Sequence, residues 1–136
     1  MMSSGLPVRK IETNVETQAF WDATASGKLL LRRCDDCQKL IWYPRGYCPG
    51  CQSFNTSWVA SLGTGTIYSF SVMRKGLGAW AAASPFVIAY VELTEGPRIL
   101  TNIVGCDVET VHIGQAVRVT FDDTGEGSAV YRFTPA

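Results

Sequence analysis

From Ser61 to the C-terminus, apolar and polar residues alternate over short runs, which is the period of strands with one buried face. "GTIYSFSVMR" puts Tyr68, Phe70 and Val72 on one face and Ser69 and Ser71 on the other. "PFVIAYVEL" is apolar on both: Val87, Ala89, Val91 and Leu93 on one side, Phe86, Ile88 and Tyr90 on the other. One of those faces fills a core; the second needs a cover, either the N-terminal elements or another protein. "RILTNIVG" follows the turn "TEGP", "CDVETVHIG" reads as a turn or one short helix, and "AVRVTFDD" points Val117, Val119 and Phe121 inward. The turn "DTGEGS" and a last strand, "AVYRFTP", close the chain.

The first sixty residues have a different texture. Residues 1–12 are polar with one proline and read as loosely held. "TNVETQAFWDATASGKL" predicts a helix: Thr13 and Glu16 have capping-box spacing, Phe20 and Trp21 supply an apolar face, and Gly27 is the stop. "KLLLRR" is a short strand leading into a cysteine-rich segment.

Five strands with a short helical insert between the third and fourth fit the five-stranded Greek-key barrel called the OB-fold. Strand count alone also admits an SH3-like barrel; the place of the insert favours the OB-fold. The expected architecture is mainly β: a tail, helix and lead-in strand over 1–33, a small ribbon over 34–60, and an OB-fold domain over 61–136.

Four of the five cysteines stand in "CDDCQKLIWYPRGYCPGC", two CxxC pairs separated by ten residues. Each CxxC turn aims two sulfurs at one point, and Cys34, Cys37, Cys48 and Cys51 together offer a closed tetrahedral set, the arrangement of structural zinc. A catalytic zinc needs an open position, which four thiolates leave no room for. Iron is the rival metal, since a rubredoxin site also uses four cysteine thiolates; in such knuckles a glycine commonly follows the second cysteine, and here Gln38 and Gln52 stand there. A segment this short cannot bury a core of its own, whereas structural zinc supplies on the order of 10 kcal/mol. Trp42, Tyr43 and Tyr47 are expected to cover the site or to pack on the barrel.

Charge narrows the partners. The chain carries 12 Lys/Arg and 12 Asp/Glu, and residues 61–136 are slightly acidic, with five basic against seven acidic side chains. Nucleic-acid binders are more often basic, so neither nucleic acid nor an anionic membrane is expected as a partner. No apolar run is long enough for a membrane span, and paired CxxC motifs without a signal segment predict metal ligands in a reducing, cytoplasmic setting.

Catalytic chemistry is hard to assemble. The single histidine, His112, lies beside a turn and reads as a surface or capping residue, and Cys106 reads as a small buried hydrophobe. The paired carboxylates Asp35–Asp36 and Asp122–Asp123 read as solvated turns, and the "GTG" and "GLG" stretches as turns or strand bends. More informative is "MRKGLGAWAAASPF", residues 73–86, which joins the first two barrel strands beside the ligand face of an OB-fold. Its centre is small and apolar around Leu77 and Trp80, with Arg74 and Lys75 at its root and Phe86 at its end. Water is a poor solvent for such a loop, which suits a partner protein or an apolar ligand with phosphates.

Taken in order, "FW…SGKLLLRRC", "CxxC…YPRGYCPGC", "WVASLGTGTIYSFSV", "PFVIAYVEL", "GPRILTNIVGCDVE", "IGQAVRVTFDD" and "YRFTP" resemble the rubredoxin-like zinc-ribbon/OB-fold family, first described as a domain of unknown function, over residues 15–135. The resemblance implies a non-catalytic accessory subunit beside thiolase-like enzymes, including acetoacetyl-CoA thiolases and the aldolases of sterol side-chain breakdown. In that family the partner carries the catalytic residues, and the zinc-ribbon/OB protein stabilises it and helps form the acyl-CoA site. A two-plus-two complex, structural zinc and a shared CoA thioester follow as expectations. Members often read "PPR" before the second knuckle; this chain has Tyr43, Pro44 and Arg45, which adds Arg45 to Arg74, Lys75, Leu77, Trp80 and Phe86 as expected contacts of partner or acyl-CoA. Two other functions compete: a single-stranded nucleic-acid binder, since both modules serve that role, and a rubredoxin-like electron carrier.

Overall fold

The computed structural model describes residues 3–136. Among these, one α-helix, α1 (Gln18–Thr24), precedes a three-stranded antiparallel sheet in the order β2-β1-β3, formed by β1 (Leu30–Cys34), β2 (Leu40–Ile41) and β3 (Thr56–Ala60). A closed barrel follows: β4 (Thr64–Met73), β5 (Phe86–Leu93), β6 (Arg98–Ile103), β7 (Ala116–Asp123) and β8 (Ala129–Pro135), in the order β4-β5-β6-β8-β7. Single helical turns at Gly78–Trp80 and Val108–Thr110 lie between β4 and β5 and between β6 and β7. The second turn is the insert that pointed to an OB-fold.

Alternation sets the core. Val87, Ala89, Val91 and Leu93 of β5 face Ile67, Ile99, Ile103, Val117, Phe121 and Phe133 in the barrel interior. β4 departs from simple alternation: a bulge between Ile67 and Ser69 makes Tyr68 an extra residue and turns it outward, while Phe70 and Val72 remain against the core. An added residue reverses the faces on its two sides, which is why Tyr68 does not share the face expected for it. Gly65 sits where a Cβ would collide with the Glu92 carbonyl of the neighbouring strand, so the "GTG" stretch is a close backbone approach.

The helix is shorter than the sequence predicts, and the capping box does not form. Thr13 donates to the Gln18 side chain (2.6 Å), and Glu16 is drawn away to accept the Gly46 N–H (2.6 Å). The Asn14 side chain instead accepts the N–H groups of Glu16 and Thr17 at 2.9 and 3.1 Å. The stop is as expected: Gly27 takes φ +73°, and the N–H groups of Gly27 and Lys28 return to the carbonyls of Thr24 and Ala23. Phe20 and Trp21 are buried, and Trp21 stacks on Tyr131 of β8 at 5.7 Å. The helix thereby ties the ribbon to the barrel.

The tail is also tighter than its polarity suggests; its first two residues lie outside the described residues. Ser4 donates its N–H to Asp122 (2.9 Å) and its hydroxyl to the same carboxylate, while the Pro7 carbonyl accepts from Arg132 (2.7 Å). Asp122, expected in a solvated turn, is in fact on β7 and pairs with Arg132 of β8 at 2.7 Å, both side chains no more than 3% exposed. Arg132 also donates to Asn102 (2.5 Å), whose amide reaches the Val87 carbonyl (2.8 Å). One guanidinium, with each of its three nitrogens hydrogen-bonded, thus joins tail, β5, β6, β7 and β8, as a buried charge requires.

Candidate metal centre and apolar face

The two knuckles repeat one backbone pattern. The N–H groups of Gln38 and Gln52 donate to the carbonyls of Cys34 and Cys48 (2.9 and 2.8 Å), and the N–H groups of those two cysteines donate to the carbonyls of Lys39 and Ser53 (both 2.8 Å). Gln38 and Gln52 take φ +66° and +63°. These positions demand the left-handed conformation that favours glycine, so the knuckle keeps its shape although the sequence lacks the glycines. Their absence therefore carries less weight against iron than the residue types alone suggest.

The four sulfurs converge, all within 4.8 Å of one another, with Cys34–Cys51 at 3.5 Å and Cys37–Cys48 at 3.6 Å. Zinc–sulfur bonds near 2.3 Å place tetrahedral sulfurs about 3.8 Å apart, so the set fits one such ion. Amide N–H groups of Cys37 and Gly50 point at the sulfurs of Cys34 and Cys48 (3.5 and 3.3 Å). The Cys51 and Gly50 amides draw the Cys48 thiol down to about 6. The Ser53 amide favours the Cys51 thiolate, but the adjoining Cys34 sulfur, burial and the other thiols outweigh it and push Cys51 up to about 12. Four thiolates this close need a cation to coexist. Cys34 and Cys48 are buried; Cys37 and Cys51 form the outer side. All four ligand positions being protein thiols, the centre is structural in kind.

The aromatics near the centre divide. Trp42 packs at 5.5 Å from Phe20 and 5.9 Å from Tyr131, and the Tyr43 hydroxyl accepts from the Trp21 indole (2.7 Å). Tyr47 turns outward beside Phe54. Arg45 lines a separate hollow with Asn14, Glu16, Thr17 and Tyr43, apart from the other expected contacts.

Those other contacts gather on the barrel. The 74–85 segment folds so that Trp80 lies 4.7 Å from Phe86, which is thereby covered. Its backbone is held by Ser84, whose hydroxyl accepts the Gly76 N–H (3.0 Å) and donates to the Ala81 carbonyl (2.7 Å). Beneath it opens a groove of about 590 Å³ that includes Met73, Lys75, Leu77, Trp80, Phe86 and Ile88 in its lining. Leu77 is 90% exposed. Arg74 is turned to Glu109 in an exposed ion pair (2.5 Å), whereas Lys75 has no ion-pair or hydrogen-bond partner among the described residues. His112 is exposed, its ring against the Thr110 carbonyl, and Cys106 is half-buried against the core.

Tyr68, Leu100 and the Arg132 network are not among the positions that the sequence pattern singles out. Leu100 carried a signal, being an apolar outward position opposite Tyr90. Tyr68 was hidden by the bulge, and nothing local joins Arg132 to Asp122.

Comparison with known proteins gives matches to two family models: "ChsH2, rubredoxin-like zinc ribbon domain" over residues 21–57 and "ChsH2, C-terminal OB-fold domain" over residues 58–122. A solved chain described as "Ltp2-ChsH2(DUF35) aldolase" superposes with a TM-score of 0.83 at 32% identity, covering 93% of this chain and 98% of that one. A "DUF35 domain-containing scaffold protein" of Methanocaldococcus jannaschii is 34% identical over 110 residues, 76% of this chain and 78% of that protein. A "Probable enoyl-CoA hydratase alpha subunit" of Thermomonospora curvata is 36% identical over 119 residues, 87% of this chain; the chain spans only 37% of that relative's length. The "Benzoylsuccinyl-CoA thiolase subunit BbsA" of Geobacter metallireducens is 31% identical over 88 residues, 65% of this chain and 58% of that protein.

Proposed function

We propose a role for this chain from a plain premise: it belongs to the ChsH2 (DUF35) family of proteins with a rubredoxin-like zinc ribbon and an OB-fold. It is a non-catalytic accessory subunit of a thiolase-like acyl-CoA enzyme, a thiolase or a retro-aldolase of lipid or sterol side chains, which it stabilises. The observation that carries this reading is the near-complete overlap with the chain described as "Ltp2-ChsH2(DUF35) aldolase". The relatives named as a scaffold protein and as a thiolase subunit support it.

Zinc held by Cys34, Cys37, Cys48 and Cys51 fixes the ribbon, and α1 couples the ribbon to the barrel. The partner supplies the reacting groups, consistent with four thiols engaged with one another and a surface His112. Lys75, Leu77, Trp80 and Phe86 face the partner or the acyl-CoA it binds, with Arg74 and Arg45 as further contacts. The assembly is cytoplasmic and contains two copies of each subunit. No helix is long and apolar enough to cross a membrane among the described residues.

The test is turnover. Each subunit is assayed alone and together against acyl-CoA substrates for carbon–carbon bond formation and cleavage. This chain alone shows none, and adding it raises the soluble yield and activity of the thiolase-fold subunit. Turnover by the isolated chain, or a partner indifferent to it, contradicts the reading.

A further inference from the structure

The loop over 74–85 is one end of a larger feature. On the outer face of β4, β5 and β6, Tyr90 and Leu100 are directly opposite in the ladder, Ile88 follows on β5, and Tyr68 projects from the bulge of β4. Tyr68, Leu77, Tyr90 and Leu100 are all among the large hydrophobic residues left in water. With the groove under Trp80 they form one apolar stripe, bounded by two ion pairs. At one end Arg98 lies 3.8 Å over the Tyr68 ring and pairs with Glu92 (2.9 Å); at the other Arg74 pairs with Glu109.

We infer that this stripe is the surface on which the thiolase-fold subunit docks, through an apolar patch carrying a carboxylate that meets Lys75. The inference rests on the function proposed above and adds the location and the chemistry of the contact. Three observations select this occupant. A small-molecule site buries most of its ligand, whereas Leu77 and Leu100 stand far out of the surface, so the stripe suits a broad, complementary protein face. A nucleic-acid strand requires several free cations along its path, but of the three cations beside the stripe Arg74 and Arg98 are already paired with glutamates, and Lys75 is the one without a partner among the described residues. β5, the central strand of the stripe, is paired with β4 on one side and β6 on the other along its length, so contact on its outer face is made through side chains rather than by adding a strand. The central aromatic and leucine anchors then carry the affinity, and Lys75 sets orientation.

The experiment uses the thiolase-fold subunit encoded nearest to this chain, purified, with full-length wild type, Leu77→Asp, Leu100→Asp and Phe54→Asp. Phe54, 81% exposed on the ribbon, lies outside the stripe and serves as the control. Dissociation constants are read by calorimetry, and hydroxyl-radical footprinting compares Trp80, Tyr90 and Leu100 in the free and bound chain. Leu77→Asp and Leu100→Asp each weaken binding by at least about tenfold, Phe54→Asp changes it by less than about twofold, and the three stripe residues are protected in the complex. Because Leu77 lies on an exposed loop, its variant folds even where Leu100→Asp does not, which thermal melts verify. A complex that forms with the stripe unprotected overturns this inference and leaves the proposed function standing; absence of any complex overturns both. A wild-type homodimer that buries the same residues, or salt-sensitive oligonucleotide binding abolished by Leu100→Asp, overturns the inference by naming a different occupant.

Discussion

The ribbon and the barrel solve the same problem by opposite means. In the ribbon, the buried apolar cluster consists of Cys34, Ile41 and Cys48, two of them from the four-cysteine set. In the barrel, the helix and the lead-in strand β1 with the residue before it, sixteen buried residues form one continuous core. The first module depends on a bound cation, the second on the area it removes from water. A chain built this way keeps a rigid barrel face while its ribbon stands or falls with the metal.

The sharpest break of that symmetry is at the metal. Cys48→Ser, or stripping with a strong chelator, removes a contribution on the order of 10 kcal/mol from the ribbon. Hydrogen exchange over residues 34–56 then accelerates to the unstructured rate while the β5 and β6 amides stay protected. Equal loss in both modules contradicts the division. Acid acts in the same direction: protons compete for the thiolates as pH falls, so zinc release follows acidification and reverses on neutralisation.

The next effect lies in the barrel. Arg132→Met leaves the Asp122 carboxylate buried without its cation and costs about 3–5 kcal/mol, read as a shift in urea midpoint. The double variant Arg132→Met/Asp122→Leu recovers part of the loss, since no orphaned charge remains. The ribbon's zinc content stays unchanged in both.

This pair also marks what the sequence could and could not convey. The metal ligands are local, four cysteines within eighteen positions, and the barrel strands announce themselves by alternation. Arg132 and Asp122 meet across two strands, and a carboxylate pair just before "TGEGS" has the composition of a turn, so its burial was invisible. The tail reads as loose for the same reason: Ser4 and Pro7 are ordered by charges more than a hundred residues away. Tyr68 departs from the face that alternation predicts because one extra residue intervenes at the bulge. The helix starts later than the Thr13–Glu16 spacing predicts because Glu16 accepts from Gly46 of the ribbon rather than from its own turn. In the candidate site, the apolar loop was legible from composition, but its continuation to Tyr90 and Leu100 needed the ladder.

A smaller effect tests the seam between the modules. Tyr131 packs among Trp21, Phe20 and Trp42, and burial, with a lesser contribution from Tyr43, raises its phenol well above the usual value. A raised folded-state pKa keeps its stabilisation intact below the unfolded value of about 10 and loses it as pH climbs beyond. Wild type therefore loses stability more steeply than Tyr131→Phe between pH 9 and pH 11, in paired urea titrations. Parallel slopes contradict the account of that contact.

The smallest effect returns to the knuckles. Gln38→Gly and Gln52→Gly relieve left-handed strain of about 1 kcal/mol each, partly offset by greater freedom of the unfolded chain. Zinc affinity rises by a few-fold at most, measured by competition with a chromogenic chelator, and the barrel melt does not move.

The central claim is that this chain completes another protein's acyl-CoA site rather than acting alone, and native mass spectrometry tests it most directly. The chain and the thiolase-fold subunit are co-expressed and sprayed from a non-denaturing buffer. The account predicts a hetero-oligomer of two copies of each, with one zinc ion per copy of this chain. The chain running solely as a free monomer while the partner assembles by itself would contradict it.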